Sequence, residues 1–224
     1  MKLRIVHERP RSGRADGEPA IIDVDGDRVT VTHSRFDALI DPFTGEATIH
    51  CLPDDEKFAT DITHRAALSA TLPLDDGLLL HSAGIVVDGD AYVFYGVSGA
   101  GKSTFAGFMR DVLSDELVAV QRGFARATGF WGTLDAVDAP PGNYPLRATI
   151  ELGRGDGVSL ESITPREARR KLLLVAVVPP QQQLWMKTLP IIDSIARIPA
   201  FRLEWTPSAE NAHRVVSELR SKNL

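Results

Sequence analysis

The stretch Gly96-Val97-Ser98-Gly99-Ala100-Gly101-Lys102-Ser103 restricts this chain more than any other. Its Gly-x4-Gly-Lys-Ser spacing is that of a P-loop, in which successive backbone N–H groups turn toward one anion and glycine keeps side chains out of the way. Such a loop needs a strand to deliver it and a helix to continue from it. Ala91-Tyr92-Val93-Phe94-Tyr95 reads as that strand. Phe105, Phe108, Met109, Val112 and Leu113, at i, i+3, i+4, i+7 and i+8, predict an amphipathic helix directly after the loop. Gly96, Val97, Ser98, Gly99, Ala100, Gly101, Lys102, Ser103 and Thr104 are then the expected nucleotide-binding residues. Lys102 reaches the β- and γ-phosphates of ATP or another nucleoside triphosphate, and the Ser103 hydroxyl ligates Mg²⁺. The alternative is a glycine-rich turn that binds nothing. A dinucleotide loop is excluded, because its third glycine would fall on Thr104.

Ahead of the loop, the apolar run Leu78–Val87 is interrupted by His81, and Asp88-Gly89-Asp90 turns it back into the P-loop strand. So short a connection makes the two strands antiparallel neighbours. Pairing about a three-residue turn puts Ala83 opposite Tyr95 and projects His81 near the loop. Further upstream, Ile21–Val24, Val29–Thr32, Phe36–Ile40 and Ala47–Cys51, divided by Asp25-Gly26 and Asp41–Gly45 turns, predict a small antiparallel sheet. A helix is expected from about Asp54 to Leu72. Downstream come a strand at Leu117–Val120, a Gly- and Pro-rich functional loop or mobile lid over Arg122–Asn143, and a strand at Arg147–Leu152. Thr164-Pro165-Arg166-Glu167 opens a helix as a capping box. Leu184–Ile198 is helical with Pro190 as a kink or break, Phe201–Trp205 is a strand, and Ser208 caps a last helix through about Ser221. The expectation is an α/β protein with a mixed sheet. It comprises a small N-terminal antiparallel β region plus helix over 1–75, and a P-loop core over 76–224.

Composition narrows the partners. A hydrophobic fraction of 43% and a net charge of −5 describe an ordinary globular chain, without the clustered cations of a nucleic-acid or anionic-membrane surface. Cys51 is the only cysteine, so no disulfide can form within the chain and a reducing compartment is indicated. The start of the chain lacks the apolar core of a signal peptide, and no run is long enough to span a bilayer. Cytoplasmic localisation is expected.

Three side chains outside the loop carry candidate chemistry. Asp115 and Glu116 precede the Leu117–Val120 strand, about a dozen residues past Lys102. A Mg–triphosphate site needs a carboxylate for the metal or its waters, and transfer to a hydroxyl needs a base. The alternative is a solvated Ser-Asp-Glu turn that caps its own neighbourhood. His81 is either a catalytic group near the loop or a satisfied core histidine.

Leu80-His81-Ser82-Ala83-Gly84-Ile85-Val86-Val87, the Asp-Gly turn, the P-loop and Ser114-Asp115-Glu116-Leu117-Val118-Ala119-Val120 together resemble the HPr kinase/phosphorylase family and its HPr-kinase-like relatives. That family shares its fold and nucleotide site with phosphoenolpyruvate carboxykinase. The resemblance is clearest over 78–120 and extends to Tyr144-Pro145-Leu146-Arg147-Ala148. It implies ATP-dependent phosphorylation of a serine hydroxyl. His81 matches the family's histidine, and Asp115 the first, acid/base member of its Asp-Asp pair. Glu116 stands where the second, metal-binding Asp is usual. Thr104 replaces the Glu of true HPr kinases, and their substrate-contacting C-terminal loop has no clear counterpart. The chain therefore resembles a divergent relative, with a peptide, protein or small-molecule hydroxyl as acceptor. Arg147 either binds the acceptor or a phosphate, or is an exposed strand-end arginine. The family's hexamers imply self-association.

Two other functions fit the same motif: a nucleotide-binding regulator or NTPase switch without kinase activity, and a degenerate scaffold that binds no nucleotide. A GTPase is disfavoured by the absence of Asn-Lys-x-Asp, and an ABC-type ATPase by the absence of Leu-Ser-Gly-Gly.

Overall fold

The computed structural model describes residues 1–11, 17–26, 28–134 and 141–222. The chain is mixed α/β with mixed sheets and divides into two compact units. One comprises Met1–Asp75 with Val178–Lys187, the other Asp76–Val177 with Thr188–Leu224. Among the described residues, no helix is long and apolar enough to cross a membrane.

In the first unit, β1 (Lys2–His7), β2 (Ile21–Asp25), β3 (Arg28–Thr32), β4 (Phe36–Asp41) and β5 (Glu46–Cys51) form one sheet in the order β1-β5-β4-β3-β2. The last four strands are the antiparallel set legible from their alternation. The β4–β5 turn is held by Asp41, whose carboxylate accepts from the Phe43 and Thr44 amides at 2.9 and 3.1 Å. Not anticipated was β1, which runs parallel to β5 with Ile5 opposite Ile49. Helix α1 (Glu56–Thr71) lays Ala59, Ala66, Ala67 and Ala70 against Val31, Phe36, Ile40 and Ile49. Cys51 is fully buried in this core, and burial pushes its thiol pKa up, which suits packing better than reactivity.

The second unit is built on β6 (Gly77–His81), β7 (Ala83–Val87), β8 (Asp90–Tyr95), α2 (Lys102–Gly107), β9 (Val112–Ser114), β10 (Leu117–Gln121), β11 (Phe124–Arg126), β12 (Tyr144–Arg154), β13 (Val158–Ser162), α3 (Pro165–Val175) and β14 (Ala176–Val177). It is completed by α4 (Gln182–Ile195, whose first turns belong to the other unit), β15 (Ala200–Trp205) and α5 (Ala209–Ser221). The sheet runs β14-β6-β10-β11-β12-β8-β7-β9, and β15, carrying β13, also pairs with β12. Strand β12 is parallel to both β8 and β15, so the loop after β8 emerges at the C-terminal ends of parallel strands, where open α/β sheets bind ligands. The stacked Phe94 and Phe105, 4.3 Å between centroids, and the Phe105–Trp205 edge contact at 5.0 Å tie α2 to the sheet.

Several expectations change. The β7–β8 turn has two residues, with Asp88 and Gly89 at φ 53° and 87°, so Ala83 faces Phe94, not Tyr95. His81 is not on that hairpin strand: it ends β6, which pairs with β10. The helix after the loop stops at Gly107, because Val112 and Leu113 reach the core through β9, paired to β7, and not through a continued helical stripe. Pro190 lies inside a continuous α4. The stretch expected as an irregular loop contains β11, while 135–140 fall outside the described residues.

Candidate functional site

At the C-terminal end of β8 the chain turns through Gly96–Gly101 into α2. A Cβ on Gly96 would lie 2.8 Å from the Leu152 carbonyl oxygen and 3.0 Å from Ala100 Cβ, so only glycine lets the loop start this close to β12. Gly99 and Gly101 take the left-handed φ values 79° and 98°, and Gly101 rests against the Trp205 ring. Over Gly99 the space is open, as an anion cradle requires. Lys102 is 8% exposed, and its Nζ donates to the Gly96 carbonyl at 3.2 Å. Burial lowers its pKa below the usual lysine value, and Glu116 opposes that shift.

Ser103 faces the turn between β9 and β10, which the Ser114 hydroxyl organises. The Ser114 hydroxyl donates to the Phe130 carbonyl at 2.6 Å and accepts from the amides of Glu116 and Leu117, each at 3.0 Å. This is the local capping considered as an alternative, and it sends the two neighbouring carboxylates to different environments. Asp115 is 1% exposed: its Oδ1 accepts from the Gly132 amide at 2.8 Å, and its Oδ2 from the Thr133 and Leu134 amides at 2.9 and 3.1 Å. Burial raises the Asp115 pKa, but the three amides and the Ser103 hydroxyl outweigh it and hold the carboxyl below the usual aspartate range. Gly132 packs against both acids; a Cβ there would meet Glu116 Oε2 at 2.9 Å and Asp115 Oδ2 at 3.3 Å.

Glu116 is the more accessible of the two, with its side chain 30% exposed and Oε1 3.8 Å from His81 Nδ1. The register that pairs His81 with Leu117 brings these two together. One pocket of about 580 Å³ is lined by His81, Ser98, Gly99, Gly101–Thr104, Asp115 and Glu116 together.

The residues fit a Mg–triphosphate group. Three of about four carboxylate lone-pair sites on Asp115 are taken by amides and the fourth meets the Ser103 hydroxyl, which would have to turn from the carboxylate to a metal or a metal-bound water. Among the described residues no cluster of three or more His, Cys, Asp or Glu side chains is poised to hold a metal.

Arg147 is not in this pocket. It is the extra residue of a bulge in β12, between Leu146 opposite Ala91 and Ala148 opposite Tyr92, and it pairs with Asp90 at 2.8 Å. That places it at the start of β8, roughly 13 Å along the strand from the P-loop end. Arg154, at the other end of β12, does line the pocket. Sequence reasoning ended that strand at Leu152; its glycine neighbours Gly153 and Gly155 hid the continuation, and only the parallel pairing to β8 shows which end of β12 reaches the loop. The role of 132–134 was equally hidden, because backbone amides carry no residue-type signal. No protein-family model matches the chain, and a search of curated proteins finds no match.

Proposed function

We propose that this chain is a Mg²⁺- and nucleoside-triphosphate-dependent phosphotransferase acting on a serine or other hydroxyl of a peptide, protein or small molecule. In this reading it is a divergent relative of the HPr kinases with their P-loop core, working in the cytoplasm. One observation carries the proposal: a phosphate-type loop, a carboxylate kept ionised and a partly exposed carboxylate–imidazole pair converge on one pocket.

Lys102 and the loop amides would hold the β- and γ-phosphates, and Ser103 with Asp115 would hold the metal. When bound, Mg²⁺ supplies charge neutralisation on the phosphate oxygens. The two acids exchange the roles expected from the sequence. A carboxylate with a lowered pKa and most of its lone pairs occupied is a poor proton acceptor but a good fixed charge. Glu116 therefore takes the acceptor's hydroxyl proton, with His81 beside it to share the charge. The acceptor oxygen bonds to the γ-phosphorus as the bond to the β–γ bridging oxygen breaks, and the nucleoside diphosphate leaves.

A second reading, an NTPase switch, is favoured by the bonds from 132–134 to Asp115, which sit where a γ-phosphate would perturb them. Incubation with γ-labelled ATP, Mg²⁺ and an extract of the source organism separates the two. The kinase reading expects one labelled hydroxyl-bearing species, lost with Lys102→Ala. Glu116→Gln should bind ATP normally yet transfer phosphate about 10²–10⁴-fold more slowly. Wild-type transfer by Glu116→Gln overturns the role assignment, hydrolysis without any labelled acceptor selects the switch, and absence of ATP binding rejects both.

A further inference from the structure

On the second unit, away from the P-loop pocket, α3 borders a groove of about 880 Å³. The helix is set by Thr164, whose hydroxyl accepts from the Glu167 amide, and it buries Ala168, Leu172 and Val175. Its remaining surface carries Arg166, Arg169, Arg170 and Lys171 against one acid, Glu167, in a chain whose net charge is −5. Part of this charge is neutralised. Arg169 pairs with Asp193, Lys171 with Glu151, and Arg202 with both Glu151 and Glu167, so Lys171, Arg202, Glu151 and Glu167 form a balanced network of two cations and two anions.

Arg166 and Arg170 stand outside that network, exposed at the rim, with no ion-pair partner among the described residues. The same groove contains Leu173 and Leu174, and Leu174 is 81% exposed, the most of any large apolar side chain among the described residues. Two uncompensated guanidinium groups in line with an uncovered leucine, Arg166, Arg170 and Leu174 at successive i, i+4 positions of α3, have a specific complement. A small polyanion would satisfy the arginines and leave the leucine in water, whereas an extended segment with acidic residues around an apolar side chain satisfies both. The chain's net charge of −5 disfavours an anionic bilayer, which would meet the whole molecule's field.

We infer that this groove docks an acidic peptide segment with an apolar anchor residue. The inference stands apart from the phosphotransfer reading, since it uses no residue of that pocket.

The test is selection of a random-dodecamer phage library on the full chain, followed by fluorescence anisotropy of the winning peptides. Acidic sequences containing Leu, Ile or Phe are expected to be enriched, with binding that weakens as salt rises. Arg166→Glu/Arg170→Glu should weaken binding about tenfold or more, Arg166→Gln/Arg170→Gln less so, and Lys102→Ala not at all. Leu174→Asp should weaken it as well, with circular dichroism confirming that every variant is folded. Absence of acidic enrichment, or equal binding by the charge-reversed protein, overturns the inference. So does full displacement by inorganic triphosphate with no effect of Leu174→Asp, which would mark a plain anion site. Two further results also overturn it: self-association in sedimentation that Arg166→Glu/Arg170→Glu abolishes, naming a second copy as occupant, and capture of phosphatidylserine vesicles lost in that variant, naming a membrane.

Discussion

Asp115→Asn separates what the buried carboxylate does for structure from what it does for chemistry. In the wild-type chain three backbone amides converge on Asp115, one on Oδ1 and two on Oδ2. Asparagine offers one acceptor oxygen; turned toward Thr133 and Leu134, it leaves its own NH₂ facing the Gly132 amide. One hydrogen bond to a charged group is lost, two become neutral, and a donor is left buried without an acceptor. At about 1.5–3 kcal/mol for a charged bond against about 1 for a neutral one, three charged bonds giving way to two neutral ones is an expected loss of about 2.5–7 kcal/mol. The pH dependence has a defined sign. Because the folded pKa lies below the unfolded one, the charge's contribution is present above about pH 4 and is lost as pH falls through the lower folded value. Urea unfolding of both proteins at neutral pH and at progressively lower pH measures the gap, which should narrow with acid. Hydrogen exchange at 132–134 should quicken in the variant. A stability difference at neutral pH within about 0.5 kcal/mol, the size of an ordinary surface change, with unchanged exchange, would refute the claim that this carboxylate fixes the segment.

Gly96→Ala places a methyl group 2.8 Å from the Leu152 carbonyl oxygen, and the backbone there has little room to yield. A cost of about 1–3 kcal/mol and loss of Mg–ATP binding in calorimetry are expected; retained affinity would show that the close approach to β12 is dispensable. The two β12 arginines should behave oppositely. Arg154→Ala, in the pocket, is expected to weaken Mg–ATP binding or transfer by about tenfold. Arg147→Ala, which removes a half-exposed pair with Asp90, should leave both unchanged and cost about 0.2–1 kcal/mol in thermal unfolding.

The amino-acid sequence by itself determined many of the local elements and the glycine spacing between β8 and α2. Short apolar segments between Asp-Gly and Asp-Pro turns mark β2–β5, Thr164 and Ser208 cap α3 and α5 with their own hydroxyls, and the glycine spacing of 96–103 is that of an anion-binding turn. These are effects of neighbours within a few residues, which a linear reading can see. The failures share the opposite origin. Val112 and Leu113 satisfy a helical period equally well as a strand, and pairing with β7 decided between them. A one-residue difference in the Asp88-Gly89 turn reset the hairpin register, and His81 reached the pocket through β10 instead. Most of all, Asp115 and Glu116 are adjacent carboxylates that composition cannot distinguish. Tertiary structure separates them, because distant amides at 132–134 fold onto one and leave the other facing His81 and the loop. Hydrogen-bond supply and desolvation are properties of a surrounding that exists only once the chain has folded, and they hold the Asp115 carboxyl below the usual aspartate range.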